Sequence, residues 1–320
     1  MKSLKLVQYG FIISLLLCHS MLHASLIGES KTLKDAIGIN NDYVGTIPLP
    51  YDFFSIDYDE VYNDLNVLYK ATNDIDYLSD IGYLMILEKR YDEAIDLYLT
   101  IEQKVPNRFS TASNIGMAYE LKGDNLNALK WIKRSMKIDP SAYNYAEWLH
   151  ANILAVKIQG THSTKSQSLI YTDFGSDVYP KSQLQEGDLN RLREQIYYQL
   201  RERTSFVKEK DPIIAQLFFE MGNIFFLQKR YHGAIRAFKK AKARGFEGEL
   251  LWERLQLARE YSDLKPYKSP YTKLEDFIVL EQLDERDINQ KYSFKDFRQF
   301  WQFILCGFGV FVGLVFFVKR

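Results

Sequence analysis

Hydrophobic positions in this chain form three patterns. Near the start, Phe11-Ile12-Ile13-Ser14-Leu15-Leu16-Leu17 is an almost unbroken apolar run behind Lys2 and Lys5. At the far end, residues 300–318 are 19 positions without a charge, followed by Lys319-Arg320. Between them apolar and charged residues interleave as in helices that bury one face. Helical segments are predicted at 59–72, within 75–108 and 109–142, at 143–157 and 188–207, within 215–248, and at 249–261. Residues 25–58 lack that periodicity, contain Pro48 and Pro50, and read as an extended lead-in. Residues 158–187 interrupt the pattern as an insertion, polar from Thr161 to Ser168 and aromatic and turn-forming from Ile170 to Pro180. Residues 266–299 read as a charged linker, partly helical around Leu274 to Asn289.

The helices repeat. Gly82 and Gly116 are 34 residues apart, as are Ala94 and Ala128, and Pro106 and Pro140. A third copy carries Gly222 and Ala234 with the same Gly-to-Ala spacing of twelve. The small residues let paired helices approach closely. Tyr98, Ile132 and Phe238 are the larger residues that fill between them, and Pro106 and Pro140 stop the second helix. These units resemble the tetratricopeptide repeat, a 34-residue helix–turn–helix. The fold class expected is therefore all-α: a helical solenoid over 59–265, with clear repeats at about 75–108, 109–142 and 215–248. One degenerate unit is split by the insertion, and 249–261 serves as the terminal cap that solenoids need.

Arrays of this family line their inner surface with the first helix of each pair, and the resemblance implies a protein- or peptide-binding groove there. By alignment its positions are Ser79, Tyr83, Ile86, Ser113, Met117, Glu120, Phe219, Asn223 and Phe226. Family members that clamp a carboxylate tail use Lys, Arg and Asn in this groove. Only Asn223 matches that pattern, while Ser79, Ser113 and Phe219 stand where a clamp lysine would be. An apolar or amphipathic partner segment is the expectation. The competing arrangement closes the array on itself, with the insertion or residues 25–58 in the groove, since an exposed apolar groove is costly.

The ends place the chain at a membrane. Residues 1–24 have the basic start, apolar stretch and small terminal residue of a signal peptide, with cleavage after Ala24 or, second, after Ser20. The 300–318 run at ~1.5 Å per residue spans roughly 28 Å, close to the ~30 Å hydrocarbon core of a bilayer, and reads as a transmembrane helix. Within it Gly309 and Gly313 have the small-xxx-small spacing that permits helix dimerisation. If the signal acts, residues 25–299 are exported. Without it the chain would be tail-anchored on the cytoplasmic side.

Composition sharpens this picture. The 320 residues hold 41 Lys+Arg and 41 Asp+Glu. Lys2, Lys5, Lys319 and Arg320 lie at the ends, so 37 cations against 41 acids leave the body at −4. That balance argues against a basic nucleic-acid-binding face. Cys18 and Cys306 both fall in the terminal runs, so the body has no disulfide. It also lacks Asn-x-Ser/Thr, a mild lean to a bacterial envelope protein. His150, His162 and His232 are scattered, and Asp173 and Asp177 are better explained by a turn than by a cation site. With no phosphate loop, HExxH or nucleophile elbow, no cofactor or metal is expected. The reading is a non-enzymatic adaptor on the periplasmic face of a bacterial inner membrane, with an enzyme built on the 158–187 loop as the least favoured class.

Overall fold

A computed structural model describes residues 26–37, 47–51, 53, 56–160 and 164–264. The chain divides into two compact units at Leu264–Lys265, and every described residue lies in the first. The signal peptide, the linker, the 300–318 span, Gly309, Gly313 and His162 fall outside the described residues. Among those described, all regular structure is helical, and no helix is long and apolar enough to cross a membrane.

The helices are α1 (Lys31–Ala36), α2 (Tyr58–Thr72), α3 (Ile75–Leu87), α4 (Tyr91–Lys104), α5 (Phe109–Lys122), α6 (Asn125–Ile138), α7 (Ala142–Tyr145), α8 (Glu147–Gln159), α9 (Ser166–Ile170), α10 (Glu186–Phe206), α11 (Pro212–Leu227), α12 (Tyr231–Ala243) and α13 (Glu249–Leu264). Their starts follow local chemistry. Asp57, Asp74, Asp124 and Asp211 each cap a helix by accepting from a backbone N–H of the first turn, and Pro212 opens α11 where a missing N–H costs nothing.

Three helix pairs share one construction. In α3–α4, α5–α6 and α11–α12 the turn residue seven after the repeat glycine is left-handed: Lys89 at φ 63°, Gly123 at 94° and Lys229 at 59°. The next amide reaches back to close the helix, Arg90 N to Met85 O at 2.8 Å, Asp124 N to Tyr119 O at 2.9 Å and Arg230 N to Phe225 O at 2.9 Å. These are the bonds of a Schellman ending. The glycines behave as their spacing implies. A Cβ on Gly82 would sit 2.7 Å from the Tyr98 ring, one on Gly116 2.5 Å from Ile132, and one on Gly222 2.4 Å from the Phe238 ring. Each large partner is fully buried, so the close approach is built into the core.

The core is a string of clusters, as in a solenoid. One joins Ile81, Tyr83, Ile86, Tyr98 and Ile115; a small one holds Ala128, Ile132, Ala151 and Leu154; a third runs from Leu149 through α10 and α11 to Ala258. The degenerate unit consists of α8 and the 21-residue α10, with α9 and an irregular loop between them. The lead-in is not wholly extended. Ser30 caps α1 by accepting from Leu33 N at 3.2 Å, and Leu33 is fully buried against the first cluster. Six residues are too few for a helical period to stand out in the sequence.

Candidate functional site

All nine predicted groove residues are buried: Ser79, Ile86, Ser113 and Asn223 completely, and Tyr83, Met117, Glu120, Phe219 and Phe226 to within 7% exposure. Glu120 is enclosed by His150, Lys157 and Arg203 of neighbouring helices and Phe219 lies under Phe246, while two segments of the protein's own chain cross other parts of this surface.

The first segment is the lead-in. Residues 26–30 follow a row of polar side chains on α3, α5 and α10. Leu26 N donates to Glu202 Oε1 at 2.8 Å. Ile27 is bonded on both sides by Asn114, its N–H donating to Oδ1 at 2.7 Å and its carbonyl accepting from Nδ2 at 2.9 Å. Glu29 N and Ser30 N donate to the two oxygens of Asp80 at 2.6 and 2.7 Å. Arg108 Nη2 holds the Glu29 carboxylate at 3.0 Å and Asp76 at 2.7 Å. Further along, Tyr51 N donates to Ser205 Oγ at 2.8 Å, Arg201 lies over the Tyr51 ring, and Phe53 packs on Phe206.

This row is anchored in the repeat itself. Tyr98, whose ring fills the space beside Gly82, donates its hydroxyl to Ser79 O at 2.8 Å and accepts from Asn114 Nδ2 at 2.9 Å. The inter-helix packing thereby fixes the amide that reads Ile27.

The second segment is the insertion, which covers the third repeat. Ser166 Oγ donates to Glu220 Oε1 at 2.5 Å, and Tyr179 meets Phe226 edge-on. Arg254 of α13 is 1% exposed and gathers the loop: its guanidinium donates to the carbonyls of Phe174 at 3.1 Å, Gly175 at 2.6 Å and Asp177 at 2.8 Å, and to Asn223 Oδ1 at 2.9 Å. Asp173 Oδ1 accepts from Gly175 N at 2.9 Å, an Asx turn, and Asp177 pairs with Lys181.

Asp80, Asn114 and Glu220 each stand two residues before the repeat glycine, and each bonds the segment that covers its repeat. None of the three is among the groove positions expected from the sequence. A usable signal was present: each is a polar residue in a helix whose neighbours are mostly apolar or small, at one fixed register.

Burial pushes the Asp80 carboxyl up to about 6, against the pull of the Glu29 and Ser30 amides. Burial likewise raises that of Glu220. Glu120 behaves oppositely. Burial raises it, but Arg203, Lys157 and His150 together outweigh that and hold it well below the usual carboxylate range. Its oxygens lie 2.6 Å from Lys157 Nζ, 2.5 Å from His150 Nε2 and 3.2 Å from Arg203 Nη2. Burial lowers the His150 imidazole against the attraction of Glu120. The cluster ties α5, α8 and α10 together. His232 is half-buried at the start of α12, with Ser262 Oγ 3.2 Å from Nε2. Among the described residues no group of His, Cys, Asp and Glu is arranged to hold a metal ion.

The hairpins, their common register and the packing of each repeat glycine against a large side chain of the next helix define an all-α array of repeated helical hairpins. No family model and no curated protein matches the chain. Among solved structures it is similar to a tetratricopeptide repeat protein from Parabacteroides merdae ATCC 43184, with 16% identity, 63% of this chain and 78% of that chain covered, and a TM-score of 0.31.

Proposed function

We propose that this protein is a non-enzymatic protein-interaction scaffold, exported and displayed on the periplasmic face of a bacterial inner membrane. In this reading residues 1–24 direct export and residues 300–318 anchor the chain, with Gly309 and Gly313 available to pair two spans. One observation supports the scaffold role most. In each clear repeat the side chain two before the glycine engages a chain segment laid across it, by main-chain bonds at Asp80 and Asn114 and by a hydroxyl at Glu220. At Asp80 and Asn114 the array thus has a built means of holding extended chain. The buried carboxylates Asp80, Glu120 and Glu220 are taken up in holding helices or covering segments, which favours a binding role over a catalytic one.

Two measurements test the two parts. Protease added to spheroplasts is expected to degrade residues 25–299, and an intact body would overturn the export reading. A photoreactive residue at Ile27, half-exposed beside Arg108, is expected to cross-link one defined protein in intact cells. Adducts only within the chain would count against the scaffold role.

A further inference from the structure

We infer that the Asp80–Asn114–Glu202 floor is a main-chain-reading site for an extended peptide segment, and that residues 26–37 are a strap that holds this site until a partner segment displaces it. The inference rests on the scaffold reading above and adds to it which surface binds and what must move first.

The geometry carries it. The floor makes five bonds to the backbone of residues 26–30 through three side chains drawn from different helices. Four of the five are to amides, at residues 26, 27, 29 and 30. Bonds of this kind read an N–H and a C=O that every non-proline residue has, so they do not require the strap's own sequence. Side chains add selection at Leu26, Leu33 and Ile37, buried against the first cluster, at Glu29, held by Arg108, and at Ser30, whose hydroxyl also bonds Asp80. Over the five positions that the floor reads, the ligand class is therefore an extended chain with an apolar residue first, an acid three further on and a hydroxyl residue after it.

The floor also gives the strap a reason to be there. Asp80, Asn114 and Glu202 are all at most 2% exposed. Uncovered, these acceptors would need water or another chain in place of the strap, because buried polar groups without partners are costly. Strap and partner compete for the same atoms. A partner's apparent affinity is reduced in proportion to the fraction of molecules whose floor is free.

The test uses the full-length protein in detergent and a labelled synthetic peptide of residues 26–37. Ser30→Pro removes the amide that donates to Asp80 Oδ2 and leaves the floor residues unchanged; Leu26→Ser keeps the amide that donates to Glu202 but removes the apolar side chain that anchors the strap. Either strap variant is expected to bind the peptide about tenfold or more tighter than wild type does. A peptide N-methylated at the residue equivalent to Ile27 should lose that binding, and so should a strap variant that also carries Asn114→Ala. Equal binding by wild type and by both strap variants, or unchanged binding of the methylated peptide, overturns the inference. Strap variants that keep wild-type helix content and bind no peptide overturn it as well. A cellular cross-linking partner that persists unchanged in Asn114→Ala would sink this site and leave the scaffold reading standing.

Discussion

Asn114 and Ile27, 87 positions apart, exchange two hydrogen bonds through one side-chain amide, 2.7 Å to the backbone N–H and 2.9 Å to the carbonyl. The same Asn114 amide is steadied by Tyr98, which owes its place to Gly82. A spacing visible in the sequence therefore runs, through one tyrosine, to the contact that covers the groove.

Close packing at the repeat glycines sets the first expectation. Phe238 is fully buried with its ring 2.4 Å from where a Gly222 Cβ would be, so Gly222→Ala forces the helices apart. The cost is expected to be ~2–3 kcal/mol in chemical denaturation. Gly187, in the first turn of α10, has open space around its Cβ. Gly187→Ala should be neutral or stabilise by up to ~1 kcal/mol. Equal effects at the two positions would contradict the packing account.

The left-handed turn residues give a second. Gly123 occupies its turn without penalty, whereas Lys89 and Lys229 hold side chains at φ 63° and 59°. Lys89→Gly should raise stability by ~0.5–1 kcal/mol, and Gly123→Lys should lower it by a similar amount. A loss on Lys89→Gly would mean that the lysine's side chain matters more than its backbone.

Titration of Asp80 gives a third. Its carboxyl is raised in the folded protein to about 6, from roughly 3.9 in an unfolded chain. The folded state therefore holds the proton more tightly. This contribution to stability is full below about pH 4 and is lost as pH rises through 6. Asp80→Asn has no such dependence. Wild type should gain on the variant by up to ~3 kcal/mol as pH falls from 7 to 4, measured by denaturation of both proteins across that range. His150 and Glu120 act in the other direction, favouring the folded state at higher pH, but they are common to both proteins and cancel in the difference. A gap that moves the opposite way would show that the strap's amides, rather than burial, set this carboxyl.

Arg254 gives a fourth. A lysine keeps the charge but cannot span three carbonyls and Asn223 with a planar fork. Arg254→Lys should cost ~2–4 kcal/mol and expose the insertion to trypsin at Lys181 before the repeats open. Wild-type resistance at Lys181 in the variant would mean that the loop is held by its aromatic contacts alone.

The repeat architecture was legible because its signals are local. Glycine, alanine and large residues recur at fixed spacing, and each spacing answers to one hairpin contact. The covering of the groove was legible only as one of two arrangements. Residues 25–58 carry no periodicity to show where they pack, and the bonds that hold residues 26–30 are made by backbone atoms that every non-proline residue has. Asp80, Asn114 and Glu220 could have been found as polar residues sharing a register within largely apolar helices. Glu202 could not, because it reaches the floor from α10, a helix displaced by the insertion.

Residues 26–30 lie bonded on Asp80, Asn114 and Glu202. Amide hydrogen exchange of the full-length protein, resolved to single residues over 26–30, tests it most directly. Leu26, Ile27, Glu29 and Ser30 are expected to exchange far more slowly than an unstructured chain, and Asn114→Ala to free Ile27 first while the α11 amides stay protected. Exchange of these four amides at unstructured-chain rates in the wild-type protein would contradict it.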